Sequence, residues 1–357
     1  MHTFILVINE GSTSSKIAIY KDDEQIFRET IRYTRKELEV FHNVWEQYDS
    51  RKSGIIDALK RFNFPLNRLN VITSRGGTVK PIPGGIYYIT LEMLNDIKSG
   101  HYGNHATNVG CQIAFDLAEE LKIPAITLDP PVTDEMCELA KYSGLHHFKR
   151  RSSFHALSQK ATARKVADKL GKPHTELNLI VSHLGGGISV GAHSNGQIID
   201  VNNALDGDGP FSPERAGSLP AGDLIDLCFS GIYTRKQMHR LISGHGGLVS
   251  YLGASDVLEI EERIKSGDTK AKEVFEAMAY QVAKEIGAAA AILDGQVDAI
   301  ALTGSLVYSQ RLIEILTRKI SFIAPIHLFP GENELASLAA GALRFMRGEE
   351  KAKIYNT

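Results

Sequence analysis

The feature that most constrains this chain is a pattern of strand, glycine turn and strand that occurs twice, once at its start and once at its middle. In the middle, Leu179-Ile180-Val181-Ser182-His183-Leu184 breaks at Gly185-Gly186-Gly187 and resumes with Ile188-Ser189-Val190-Gly191-Ala192. At the start, Phe4-Ile5-Leu6-Val7-Ile8-Asn9-Glu10 breaks at Gly11-Ser12-Thr13 and resumes with Ser14-Ser15-Lys16-Ile17-Ala18-Ile19-Tyr20. Apolar, β-branched runs around such breaks predict β-hairpins. Glycines leave no Cβ between backbone and ligand, so successive N–H groups can converge on one anion, and a phosphate fits. Laying Gly11 over Gly185 sets Ile17-Ala18-Ile19 over Gly191-Ala192-His193, and in both copies a polar tip and a short apolar run follow, Gln25-Ile26-Phe27 in one and Gln197-Ile198-Ile199 in the other. A duplicated chain with one phosphate-gripping hairpin per half predicts two similar domains and a nucleotide cleft between them.

The 357 residues leave room for about two domains at the usual 100 to 200 residues each. Lys plus Arg number 40 against 42 Asp plus Glu, so no basic excess points to nucleic acid. Cys111, Cys137 and Cys228 have neither C-x-x-C nor zinc-finger spacing and read as reduced, partly buried thiols of a cytoplasmic protein. The first residues lack a basic region followed by an apolar one. The longest apolar stretch, near Ile286 to Leu293, is far shorter than the roughly 20 residues of a membrane helix. A soluble protein without membrane or nucleic-acid partners is expected.

Between the hairpins, the spacing of Val44, Tyr48, Ile55, Ile56 and Leu59 predicts helices on a sheet face. The run from Leu69 to Ser74 reads as a strand that delivers Arg75 to a loop, where open α/β sheets meet anions. Gly76 and Gly77 would let backbone approach the same ligand. Asn104 and His105 precede a helix from about Val109 to Leu121, for which Asn108 is the natural N-cap, leaving the first two as candidates for lining a pocket. Asp129 closes another strand, where it suits a metal-bound water or a turn cap. His155 opens a helix that runs to Leu170. Phe275, Met278, Ala279, Val282, Ile286, Ala289 and Leu293 share one face of a helix predicted over Thr269 to Leu293. Thr303-Gly304-Ser305 ends a strand before a helix, a turn that suits the polar side of a nucleotide. A last helix runs from Glu334 to about Met346, and the charged tail beyond Gly348 is expected to fray.

Taken in order, Asn9-x-Gly11-Ser12-x-Ser14-x-Lys16, Ser74-Arg75-Gly76-Gly77, Asp129, Phe154-His155, His183-Leu184-Gly185-Gly186-Gly187, Thr303-Gly304 and Pro330-x-x-x-Glu334-Leu335 resemble the motifs of the acetate kinase family. The resemblance spans nearly the whole chain, and within the family it is nearest to the branch that phosphorylates butyrate. It departs from acetate kinases at Gly186, where they carry Asn, at Asn104-His105-Ala106-Thr107-Asn108 for their His-Asn-Pro-Pro-Asn, and at Leu219-Pro220-Ala221-Gly222-Asp223 for their Thr-Arg-Ser-Gly-Asp. The second family arginine is thereby absent from its motif, and Arg215 is the nearby substitute.

The resemblance implies an α/β fold of two actin-like, ribonuclease H-like domains, residues 1–155 with 335–357 binding the acid and residues 156–334 binding the nucleotide. It implies transfer of the γ-phosphoryl group of ATP to a short-chain carboxylate, with magnesium, in a cytoplasmic homo-oligomer. Asn9, Ser12, Ser14 and Lys16, and His183 with Gly185, Gly186 and Gly187, would hold phosphates. Arg75 would grip the carboxylate and the moving phosphoryl group, with His155 on its equatorial oxygens and Arg215 beside it. Asp129 and Glu334 would hold magnesium, and Thr303, Gly304 and Ser305 would border the adenosine. Pro83, Ile86 and Tyr87 are candidate walls for the acyl chain. Acetate or propionate as acceptor is the nearer alternative, and an actin-like nucleotide switch the remoter one. A hydrolase lacks its nucleophile motif, Gly-x-Ser-x-Gly.

Overall fold

The computed structural model describes residues 2–331 and 333–356. Its contacts divide the chain into two units, Met1–Thr133 with Asn333–Thr357, and Asp134–Glu332. In unit 1, β1 (Phe4–Gly11), β2 (Ser14–Lys21), β3 (Glu24–Arg32), β4 (Val71–Ser74), β5 (Ile86–Tyr88) and β6 (Ala125–Leu128) form one sheet in the order β3-β2-β1-β4-β6-β5. In unit 2, β7 (Leu179–Leu184), β8 (Ile188–Ser194), β9 (Gln197–Val201), β10 (Ala299–Gly304) and β11 (Ile326–Pro330) form a second, ordered β11-β10-β7-β8-β9.

The two sheets repeat one plan. Three antiparallel strands are followed, on the far side of the first, by parallel ones: β4 beside β1, and β10 beside β7. Even the irregularity recurs, since the middle strand shifts register at Ile19/Tyr20 in one copy and at Ala192/His193 in the other. The first strand of each copy is central and covered on both faces, which is why it reads as a nearly continuous apolar run. Parallel neighbours require crossovers, and helices supply them: Tyr48–Arg61 before β4, Ala106–Leu121 before β6, Thr269–Ile292 before β10 and Gln310–Ile320 before β11. On the long Thr269–Ile292 helix, the predicted face of Phe275, Met278, Ala279, Val282, Ile286 and Ala289 is buried in the core of unit 2.

Three local expectations are corrected. Asn108 is not an N-cap: the helix begins three residues earlier, at Ala106, where His105 Nδ1 accepts from the Thr107 amide. Asn108 lies wholly inside, accepting from the Thr78 amide at 2.9 Å and donating to the Gly103 carbonyl at 3.2 Å. The tail does not fray, because the Lys353 amide donates to Ile86 O, the Lys353 carbonyl accepts from Tyr88 N, and the buried Tyr355 bonds Asp96. Of the thiols, Cys111 is buried while Cys137 and Cys228 are exposed. Among the described residues, no helix is long and apolar enough to cross a membrane.

Candidate active site

In unit 1 the β1–β2 hairpin sets Asn9 opposite Lys16 and Gly11 opposite Ser14, so cross-strand neighbours Asn9 and Lys16 point to one face. Parallel pairing of β4 with β1 then places Arg75, one residue past β4, next to that hairpin's end, where its amide donates to Ile8 O. The third member comes from the far end of the chain. Glu334, the first residue of the Glu334–Met346 helix, accepts from Asn9 Nδ2 at 2.7 Å through Oε2 and pairs with Arg75 through Oε1 at 3.0 Å. One carboxylate therefore ties together an amide and a guanidinium separated by 66 positions in sequence.

Beneath the hairpin lies a group the motif reading passed over. Glu10 is the one charged residue of the buried strand β1, and it pairs with the buried Arg51 of the Tyr48–Arg61 helix. Burial pushes the Glu10 carboxyl up, against the opposing pull of Arg51 and of the Ser15 hydroxyl. Arg51 also donates to the carbonyls of Gly11 and Ser12 at 3.1 Å each. In a planar trans peptide the N–H points opposite the C=O, so the amides that follow those carbonyls face away from the guanidinium, toward solvent. Ser12 Oγ lies 3.4 Å from His105 Nε2. The outer side of His105 is open to solvent, yet desolvation of its inner edge, then Arg75 and Arg51, hold its pKa below the usual histidine range.

Several expected members of the site also make contacts within the fold. Gly76 and Gly77 meet protein: a Cβ on Gly76 (φ +84°) would stand 2.5 Å from Thr127 Oγ1, and one on Gly77 2.6 Å from Ile97 Cδ1. Close chain packing explains both. Asp129, 1% exposed and at φ 41°, exchanges two bonds with Gly85, its Oδ1 accepting from the Gly85 amide at 2.7 Å. Ile86 and Tyr87 are sealed from solvent, at 0% and 4% exposure, and so support the loop rather than wall an open pocket; Pro83 and Asn104 are exposed. No group of three or more His, Cys, Asp or Glu able to hold a metal occurs among the described residues.

In unit 2 the β7–β8 turn is wound tightly. The Gly185 amide donates to Gly187 O at 3.2 Å and is thus spent within the turn, contrary to its expected role on a phosphate. Gly186 O accepts from Ser212 Oγ at 2.6 Å and from the Glu214 amide, which turns the following amide, of Gly187, the opposite way. Where the acetate kinase motif grows an Asn side chain from this position, a Cβ on Gly186 would lie 3.2 Å from Glu214 Oε2, so that carboxylate would have to give way slightly. A Cβ on Gly187 would lie 3.6 Å from His155 Cε1 and 3.9 Å from Arg215 Cγ, so both candidate side chains border the turn. The Nε of Arg215 is buried with no hydrogen-bond partner, a donor placed for an acceptor the protein itself does not supply. His155 and His183 stack, ring centres 3.8 Å apart and planes 13° apart, and each Nδ1 is 2.9 Å from a serine hydroxyl, Ser189 for the first and Ser158 for the second.

Next to the turn is a pocket of about 410 Å³ lined by Gly186, Pro213, Glu214, Asp256, Leu258 and Ser305 among others. Ser305 was expected there. Thr303 is buried and Gly304 packs against Leu184, so neither lines it. Pro213, Glu214, Asp256 and Leu258 had no individual signal in the sequence, since they converge only through packing of distant loops.

Deeper in unit 2, burial, then the charges of Lys160 and His174, push the His193 imidazole down to about 3. The unfolded chain takes up that proton near the ordinary value of about 6.5. Stability from this residue is therefore complete above pH 6.5 and is lost as pH falls toward 3. The expected slope is up to about 1.4 kcal/mol per pH unit within that window. Urea unfolding at several pH values checks this, and His193→Gln should flatten the slope.

The chain matches the model of the acetokinase family over residues 136–323. It is 49% identical to butyrate kinase 2 of Clostridium acetobutylicum over 351 residues, 98% of this chain and 99% of that protein. It is 48% identical to a probable butyrate kinase of Listeria welshimeri, with the same coverage. Among solved structures, Porphyromonas gingivalis acetate kinase superposes with a TM-score of 0.77 at 18% identity, over 96% of this chain and 100% of that one. A propionate kinase from Francisella tularensis gives 0.75 at 17%, over 95% and 98%. These two likenesses bear on the fold, which is the actin-like one of two helix-flanked mixed sheets.

Proposed function

The chain belongs to the acetokinase family, and from that membership we infer a carboxylate kinase whose acceptor is butyrate or a similar short-chain acid. The acid's oxygen attacks the γ-phosphorus of ATP, an O–P bond forms, the bond to the bridging oxygen breaks, and acyl phosphate and ADP result; the reverse direction uses the same groups. The observation that carries the reading is the gathering of Asn9, Arg75 and Glu334 at the ends of β1 and β4 in unit 1.

A carboxylate is already nucleophilic at neutral pH, so the residues have to bind, orient and neutralise rather than remove a proton. In this reading Arg75 grips the acid and the transferring phosphoryl group, its guanidinium already aimed by Glu334. Asn9, Ser12, Ser14 and Lys16 offer donors to phosphate oxygens, as do the Gly187 amide, His155, His183 and Arg215 in unit 2. The pocket beside Gly186 takes the nucleoside. Magnesium takes one or two carboxylates and completes its shell with phosphate oxygens and water, and Asp129 and Glu334 supply oxygens of that kind. When bound, the ion would neutralise phosphate charge. A homo-oligomer in the cytoplasm is the proposed setting; Phe229, 87% exposed, with Ile225 and Ile232 gives unit 2 an apolar surface suited to association.

The test is trapping of acyl phosphate as hydroxamate with ATP, Mg²⁺ and acids from acetate to hexanoate. Product is expected to rise from acetate to four carbons, as each methylene buried adds about 0.8 kcal/mol, and to fall for acids longer than the pocket holds. A peak at acetate would move the acceptor to that acid, and ATP binding without acid-dependent product would remove the kinase reading.

A further inference from the structure

The Ala156–Leu170 helix, which His155 precedes, carries Gln159 one turn later, and that glutamine joins two histidines through a path whose direction chemistry dictates. Gln159 has one atom 3.1 Å from the backbone carbonyl of Ser189. A carbonyl only accepts, so that atom is the amide nitrogen, which also donates to Ser189 Oγ at 2.9 Å. The amide oxygen is then the atom 3.1 Å from His193 Nε2, and an oxygen acceptor requires the proton of His193 to sit on Nε2. Ser189 Oγ, having accepted from Gln159, lies 2.9 Å from His155 Nδ1. Were it to accept from His155 as well, its own hydrogen would be left unbonded in a fully buried place. Donating to Nδ1 satisfies every member.

We propose that His193, Gln159 and Ser189 form a one-way hydrogen-bond chain that fixes the proton of a neutral His155 on Nε2. His193 is suited to head such a chain because it stays neutral throughout the ordinary pH range, so its Nε2–H is a constant donor. Gln159 and Ser189 are completely buried, which keeps water from offering a competing partner. The consequence for the kinase rests on the reading above, which puts His155 against the phosphoryl oxygens. There a histidine must donate, and an Nδ1 already engaged as acceptor leaves the donor on the other ring nitrogen. The stacked His183 ring restrains rotation of the His155 ring. Ser189, Gln159 and His193 are thus positioning residues that act through His155.

The experiment reads the ring nitrogens of His155 by ¹⁵N NMR in the full-length protein at pH 8, assigned with a His155→Asn control, together with kcat and KM. Wild type is expected to show the Nε2–H tautomer almost alone. Ser189→Ala and Gln159→Met, each checked for folding by thermal unfolding, should shift His155 toward a mixture of tautomers and lower kcat by about 10-fold, less than the roughly 100-fold or more for loss of a positioned proton-donating group because the donor is misdirected and not removed, with KM changed less. An unchanged tautomer in either variant, if folded, would overturn the chain. A shifted tautomer with unchanged kcat would support the chain and remove His155 from the phosphoryl group. Using two variants at different points means that misfolding of one leaves the other to decide, and the wild-type spectrum decides by itself if the proton is found on Nδ1.

Discussion

Replacing Arg75 by alanine should lower kcat by about 100-fold or more, the usual cost of removing a preorganised electrostatic contact to a transition state. That is about 2.7 kcal/mol of transition-state binding. The size follows from what the guanidinium must do: two anions, a carboxylate and the terminal phosphate of ATP, have to approach bonding distance. In the proposed site Arg75 is held for that task by Glu334 at 3.0 Å and by its own amide on Ile8 O. KM for the acid should rise as well. Arg75→Lys should recover only part of the loss, because a point charge cannot meet Glu334 and a substrate anion with one planar fork. The side chain is partly exposed, so the unfolding temperature should hardly move. Steady-state kinetics with butyrate decide, and near-normal turnover would take Arg75 out of the site.

Gly304→Ala should act on the other unit and through stability. Gly304 sits at φ +101°, where a Cβ is strained, and that Cβ would stand 2.2 Å from Leu184 O and 2.8 Å from Leu184 C. Those are backbone atoms at the end of β7, so relief requires moving the strand that leads into the Gly185–Gly187 turn. A loss of about 4 kcal/mol or more is expected, in the range that few single substitutions reach. Gly287 provides the contrast. It lies within the Thr269–Ile292 helix, and a Cβ there meets nothing within 4 Å, so Gly287→Ala should stabilise by about 0.5–1 kcal/mol. Urea unfolding of the two variants separates backbone collision from helix propensity, and equal midpoints would refute the account of Gly304.

The duplicated hairpins were legible because a strand writes itself locally, in period-two or continuous apolar patterning, and a tight turn writes itself in glycine. The order of the motifs along the chain was legible for the same reason. Asn108 shows where local reading fails. Its residue type suits an N-cap, but the Thr78 amide and the Gly103 carbonyl reach it from a loop 30 and 5 positions away and hold it inside the fold. Gly76 and Gly77 looked like openings for a ligand and prove to be openings for Thr127 and Ile97, because a missing Cβ has the same spelling whichever neighbour uses it. Glu10 did leave a signal, a lone charge in a mostly apolar strand, and such a charge calls for a partner that the sequence does not name.

What the sequence by itself determined is the pair of repeated sheets and the family, both carried by residues adjacent or nearly so in the chain. What the tertiary structure alone decided is who meets whom: Glu334 with Asn9 across 325 positions, Arg51 under the first hairpin, Glu214 in the space beside Gly186, and His193 joined to His155 through Gln159. Hydrogen-bond partners depend on strand register and on packing between segments far apart in the chain. A shift of one residue in either would turn these side chains to the opposite face and give each a different partner.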